Sequence, residues 1–72
     1  MARIIGKGVL EPYSQSLVFP EPVKVACLPE LMKLPEAYRE NVIAVRDGKA
    51  LTLNNLLYDS DEILLFISVM GG

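Results

Sequence analysis

The apolar segment near the end of the sequence constrains the fold more than any other feature. It follows the acidic stretch Asp59-Ser60-Asp61-Glu62, runs from Ile63 to Met70 and leads into Gly71-Gly72. In a strand, successive side chains point to opposite faces. One face would carry Ile63, Leu65 and Ile67, and the other Leu64, Phe66 and Ser68. Both faces of the predicted strand are therefore largely apolar.

The length of the chain limits how much of this strand can be buried. The 72 residues are expected to form one domain over residues 1–72, and a domain of this size buries only roughly 60% of its unfolded surface. We therefore predict that one face of the strand packs in the core and that the other meets a partner. Leu64 and Phe66, together with Met70, are assigned to this partner surface.

The first half of the chain predicts a hairpin followed by a helix. Strands are expected over Ala2–Glu11 and Leu17–Phe19, joined by turn-forming residues. Helical spacing then predicts a helix over about residues 25–34, on the apolar positions Val25, Leu28, Leu31 and Met32. A start at Val25 would place Pro29 where it kinks the helix. We therefore prefer a later start with Cys27 as the N-cap, because Pro29 then falls in the first turn, where proline is tolerated. Cys27 itself is expected to be a small buried hydrophobic side chain.

The sequence of the second half of the chain predicts mainly strands. A polar connector over residues 36–40, with one helical turn, precedes a strand at Val42–Val45. Asp47-Gly48 is a hairpin signal that returns the chain into Ala50–Leu53. Leu56-Leu57 is expected to hold down a compact loop.

The order of these elements predicts an α+β fold, a mixed sheet of four to five strands over one helix. The last strand, Glu62–Met70, is expected to lie beside the first strand, in parallel and at the centre of the sheet. One set of its side chains should pack on the helix residues Leu28, Leu31 and Met32.

Composition argues against several functional classes. The net charge is −2 and the basic residues are scattered singly, so we do not expect nucleic-acid binding. With no histidine and one cysteine, neither a zinc site nor a histidine-activated nucleophile is expected. The first ten residues do not read as a signal peptide and no segment is long enough to span a bilayer, so the expected location is the cytoplasm.

Three stretches resemble the ubiquitin-like β-grasp sulfur carriers, the family of the thiamin-biosynthesis sulfur carrier and the small subunit of molybdopterin synthase. Phe19–Ala26 resembles the approach to the family's helix, and Val42–Lys49 resembles its central hairpin. Asp59–Gly72 is similar to its acidic turn, apolar strand and terminal Gly-Gly. Ser60 stands where the family usually has a turn glycine.

The resemblance implies that Gly72 carries the reactive carboxylate on a flexible tail of about residues 69–72, with Gly71, Met70 and Val69 leading to it. A ubiquitin-activating-type adenylyltransferase would use ATP and a sulfur donor to make a thiocarboxylate there. A sulfur-accepting biosynthetic synthase would then take the sulfur. The chain itself would bind no cofactor and would not be an enzyme, and Leu64 and Phe66 would contact the partners.

Other functions stay open at this point. The absence of proline from Ile67–Met70 favours sulfur delivery to the thiazole of thiamin over delivery to molybdopterin. A protein modifier joined to lysines through Gly72 would be activated by the same chemistry. A β-grasp interaction module, with a tail that has no role, is the third reading.

Overall fold

The computed structural model describes residues 1–68, so Val69, Met70, Gly71 and Gly72, the predicted tail, lie outside the described residues. Two short α-helices occur within this range, α1 at Leu28–Leu31 and α2 at Glu36–Arg39. The strands of residues 1–68 are β1 Ala2–Gly6, β2 Gln15–Leu17, β3 Val23–Lys24, β4 Val42–Arg46, β5 Lys49–Ala50, β6 Leu56–Leu57 and β7 Glu62–Ile67.

Five of the strands form one mixed sheet in the order β2-β1-β7-β4-β5. β7 lies at its centre, parallel to β1 and antiparallel to β4. β1 and β2 form the predicted antiparallel hairpin, but β2 covers Gln15–Leu17 and not the predicted Leu17–Phe19. The predicted α+β, β-grasp-like fold is confirmed, as is the central position of the last strand.

The core lies on one face of this sheet. Ile63 and Leu65 of β7 are fully buried there, in one cluster with Leu28 and Met32. The prediction for Leu31 is wrong, because its side chain is 47% exposed. α1 has a single turn and therefore buries only a narrow stripe, which the i and i+4 positions Leu28 and Met32 occupy.

The helix starts as predicted but ends early. Cys27 is the N-cap of α1, and Pro29 lies in the first turn. The chain then turns at Lys33, whose φ is 57°, and the N–H of Leu34 donates to the carbonyl of Pro29 at 3.0 Å. This Schellman-type ending reverses the chain and buries Leu34 ahead of Pro35. Cys27 is exposed, so the prediction of a buried thiol is wrong.

Two further differences concern short elements. β1 ends at Gly6, and Gly8–Tyr13 forms a 3-10 helix where the sequence predicted strand and turn. Leu56-Leu57 is not a plain loop, because it pairs with β3 in a small second sheet. The Asp47-Gly48 turn is confirmed, with a positive φ at both positions. No helix within residues 1–68 is long and apolar enough to cross a membrane.

Candidate functional site

The carboxyl end of β7 is the candidate site, because Val69–Gly72, the predicted tail, follows it in the sequence. β1 pairs with Glu62–Leu65 and β4 pairs with Leu64–Ile67, so Leu64 and Leu65 have a neighbour on each side. Leu65 lies opposite Gly6 of β1 and Ala44 of β4. The N–H of Lys7 adds a further hydrogen bond, donated to the carbonyl of Leu65 at 2.9 Å.

Beyond Leu65, the pairing of β7 continues on the β4 side. Phe66 lies opposite Ile43, and the N–H of Ser68 donates to the carbonyl of Asn41 at 2.8 Å. In an antiparallel pair, successive residues direct their backbone groups alternately toward and away from the neighbouring strand. Since Ser68 bonds toward β4, the N–H and C=O of Ile67 point to the opposite side, past the end of β1.

A groove of about 230 Å³ occupies that side. We call it the tail-root groove, and its walls are Lys7, Gly8, Val9, Phe66 and Ile67. The groove is largely apolar, because Val9, Phe66 and Ile67 form most of its walls. Val9 is 55% and Phe66 is 37% exposed, so these walls are accessible. It lies directly beside the last described residues of β7.

The outer face of the sheet, opposite the core, carries an apolar patch. Its members alternate with the buried residues of their strands, and each is half-buried or exposed. Register pairs Leu64 with Ile5 on one side and with Val45 on the other, and Phe66 with Ile43. We call this the outer-face patch: Ile5, Ile43, Val45, Leu64 and Phe66.

The predicted partner residues Leu64 and Phe66 thus lie together on an accessible face. Ile5, Ile43 and Val45 were not predicted to belong to it. The sequence could have predicted two of them, because side chains alternate between the faces of a strand and Ile43 and Val45 therefore share one face of Val42–Val45. The predicted tail residues Val69, Met70, Gly71 and Gly72 lie outside the described residues.

The opposite end of β7 is held by the acidic turn. Asp59 accepts hydrogen bonds from the N–H of Phe19 at 2.8 Å and from the amino group of Met1 at 3.2 Å. The bond from Phe19 is the larger cause, and the bond and charge of the amino group add to it, so that the pKa of Asp59 lies below its usual value. The carboxylate is exposed, so water screens these interactions.

Asp61 anchors the same turn. Its carboxylate accepts hydrogen bonds from Arg46 at 2.7 Å and from the N–H of Tyr58 at 2.8 Å. Its carbonyl accepts from the N–H of Arg3 at 3.0 Å. Ser60 has no positive φ, so this turn does not require the glycine that the β-grasp sulfur carriers usually have at this point.

A second hollow, of about 260 Å³, lies on the helix side of the sheet. Arg39 and Glu40 flank it, and Val42, opposite Ile67 in the register, forms part of its wall. The Nε of Arg39 donates to the carbonyl of Leu34 at 2.8 Å.

Within residues 1–68, no group of three or more His, Cys, Asp or Glu side chains is placed to hold a metal ion. Cys27, the one thiol of the sequence, is exposed at the start of α1. Around the carboxyl end of β7, the outer-face patch and the tail-root groove are accessible apolar surfaces. No protein-family model matches the sequence, and a search of curated proteins finds no matching relative.

Proposed function

We propose that this protein is a sulfur carrier that works as a protein co-substrate. A ubiquitin-activating-type enzyme adenylates the carboxylate of Gly72 and converts it to a thiocarboxylate. A biosynthetic synthase then accepts the sulfur. The proposal takes Gly72 as the residue that bears the terminal carboxylate.

One observation carries the proposal: the segment that leads to Gly-Gly is the central strand of the sheet. β1 and β4 both pair with β7 at Leu64 and Leu65, and β4 and the bond from Ser68 to Asn41 hold it on one side thereafter. The sheet thus fixes the point from which the predicted tail continues, and Gly71 and Gly72 would present no side chain to a narrow active site.

In the proposed reaction, the domain contributes only the carboxylate of Gly72. The carboxylate oxygen attacks the α-phosphorus of ATP, which forms the acyl adenylate and releases pyrophosphate. Hydrosulfide then attacks the acyl carbon, the C–O bond to AMP breaks, and the thiocarboxylate remains after loss of one proton. ATP and the sulfur donor belong to the partner enzyme.

Docking is assigned to the outer-face patch. Leu64 and Phe66 are its residues on β7, and they lie on the strand that continues into the tail. Val69 and Met70 would enter the partner as an extended segment, with backbone hydrogen bonds setting the register. Delivery to the thiazole of thiamin is favoured over molybdopterin, because Ile67–Met70 contains no proline.

Intact-mass analysis tests the proposal. The protein is purified from its native cells, and separately incubated with the activating enzyme, ATP and sulfide. We expect a mass gain equal to the replacement of one oxygen by one sulfur, located on Gly72 by fragmentation. High-mass adducts on lysines would instead identify a protein modifier.

A variant with one alanine appended after Gly72 is the companion experiment. It should fold as the wild type does, because the addition changes no residue of the buried core, but it should fail to gain sulfur. Thermal unfolding provides the control for the fold. Full activity of the extended chain would show that the tail has no role and that the domain is an interaction module.

A further inference from the structure

We infer that the tail-root groove binds an extended segment of the activating enzyme, which adds to the sheet beside β7 and places an acidic side chain at Lys7. This inference rests on the proposed function, because the partner is the enzyme that acts on Gly72. The tail-root groove would be a second contact surface, and Phe66 is the one residue that it shares with the outer-face patch.

The backbone of β7 supplies the first part of the argument. β1 pairs with β7 as far as the register Gly6–Leu65, and Lys7 adds the last bond on this side that the described residues show. The N–H and C=O of Ile67 face the same side beyond that point. An added strand would therefore find a donor and an acceptor already in strand geometry.

The shape of the groove supplies the second part. Gly8 has a φ of +59°, and a Cβ built on it meets no atom within 4 Å. The chain turns into its 3-10 helix at this residue, and the groove of about 230 Å³ lies between this turn and the end of β7. Val9 and Phe66 provide apolar walls for a side chain of the incoming segment.

Charge supplies the third part. Arg3, the nearest cation along β1, pairs with Glu62 at 3.2 Å. Lys7 forms no ion pair with any residue of the described part of the chain. Its charge at the mouth of an apolar groove complements a carboxylate, and such complementarity selects partners and raises association rates.

Gly8→Asn is the first test, with Gly48→Asn as its matched control. Both glycines have positive φ and open space around an added Cβ, and asparagine tolerates that conformation better than most residues. Gly48 lies in the β4–β5 turn, at the opposite end of the sheet. Against the activating enzyme purified from the same cells, Gly8→Asn should raise Kd at least about tenfold, since it obstructs a packed contact.

Lys7→Glu is the second test, with Lys24→Glu as its control. Lys24 is exposed on β3, and Lys24→Glu changes the net charge by the same amount at a position away from the groove. Lys7→Glu should raise Kd about fivefold, with most of the change in the association rate. In the wild-type complex, hydrogen exchange of the Ile67 amide should slow at least about tenfold, because that N–H gains a partner.

The two proposals fail in different ways. If the wild-type chain gains no sulfur from the enzyme, ATP and sulfide, the proposed function fails and this inference with it. If wild type and Gly48→Asn gain sulfur, and Gly8→Asn and Lys7→Glu match their controls in Kd, the groove inference alone is overturned. Unchanged exchange of the Ile67 amide in the complex would overturn it as well.

Discussion

The two ends of β7 are built differently. At its start, Asp59 and Asp61 tie the strand to distant parts of the chain, because their carboxylates accept hydrogen bonds from Phe19 and Arg46. At its other end, pairing with β1 stops after Leu65, while pairing with β4 continues to Ser68. One strand thus passes from attachment on both sides to attachment on one side.

The difference separates two tasks within one strand. The first end contributes to the stability of the domain, because it joins the turn to β1, to β4 and to the segment before β3. The residues beyond Leu65 contribute less to stability, but their backbone and outer side chains are accessible to another protein. Substitutions at the two ends should therefore affect different measurements.

Replacement of Leu65 by alanine should have the largest effect on stability. Leu65 is fully buried, and removing such a side chain costs about 2–5 kcal/mol of unfolding free energy. Phe66→Ala is the matched neighbour, and it should cost at most about 1–2 kcal/mol because part of the ring is already in water. Chemical denaturation measures both. Equal losses of unfolding free energy in the two variants would contradict the assignment of Leu65 to the core and Phe66 to the accessible outer face.

Asp61→Ala should come next. The Arg46–Asp61 pair is largely shielded, with side-chain exposures of 24% and 17%, and the loss leaves the Arg46 guanidinium and the Tyr58 N–H without this acceptor. We expect a cost of about 1–3 kcal/mol. Asp61→Asn retains an acceptor and should lose less. A loss of the same size in both variants would show that the charge, and not the hydrogen bond to Tyr58, dominates.

Asp59 should give the acidic turn a pH dependence. Its pKa is lowered in the folded protein, so its contribution to stability is complete above its unfolded pKa, about 4. That contribution is lost as pH falls through the lower folded pKa. Thermal unfolding of Asp59→Asn should therefore depend less on pH below about pH 4 than the wild type does.

Glu21→Gln is the control for this measurement. Glu21 is exposed, and its carboxylate makes no hydrogen bond or ion pair within residues 1–68. It should unfold with the pH dependence of the wild type. An Asp59→Asn variant that also retains the wild-type dependence would remove Asp59 from the anchoring of β7.

Glu62→Gln should have the smallest effect. The Arg3–Glu62 pair is exposed, with side-chain exposures of 67% and 58%, and such pairs contribute less than about 0.5–1 kcal/mol. Denaturation at low and high salt measures this contribution. A loss comparable to that of Asp61→Ala would show that charge alone, without shielding, anchors the start of β7.

Patterns along the sequence were sufficient for the main architecture. Alternation in Glu62–Ile67 predicted which side chains are buried, since Ile63 and Leu65 lie in the core and Leu64 and Phe66 on the other face. Asp47-Gly48 predicted its turn, because few residue pairs tolerate two successive positive φ values. The assignment of Leu64 and Phe66 to a partner surface stays a prediction, as does the role of Gly72.

Features that depend on the packing of distant segments were not predicted. The exposure of Leu31 follows from an α1 of one turn, and the length of α1 is set by the chain reversal that buries Leu34. The early end of β1 has a similar cause. A Cβ on Gly6 would collide with the carbonyl oxygen of Leu10, so the backbone of the 3-10 helix packs directly on this glycine.

The sequence by itself determined a small α+β domain with an apolar strand at its centre, because the periods of strand and helix are local properties of the residues. Only the tertiary structure decided where pairing with β1 stops relative to β7. That offset depends on how closely Gly6 and Leu10 approach in space, and no pattern of residue types encodes it. The offset leaves the backbone of Ile67 facing an open groove.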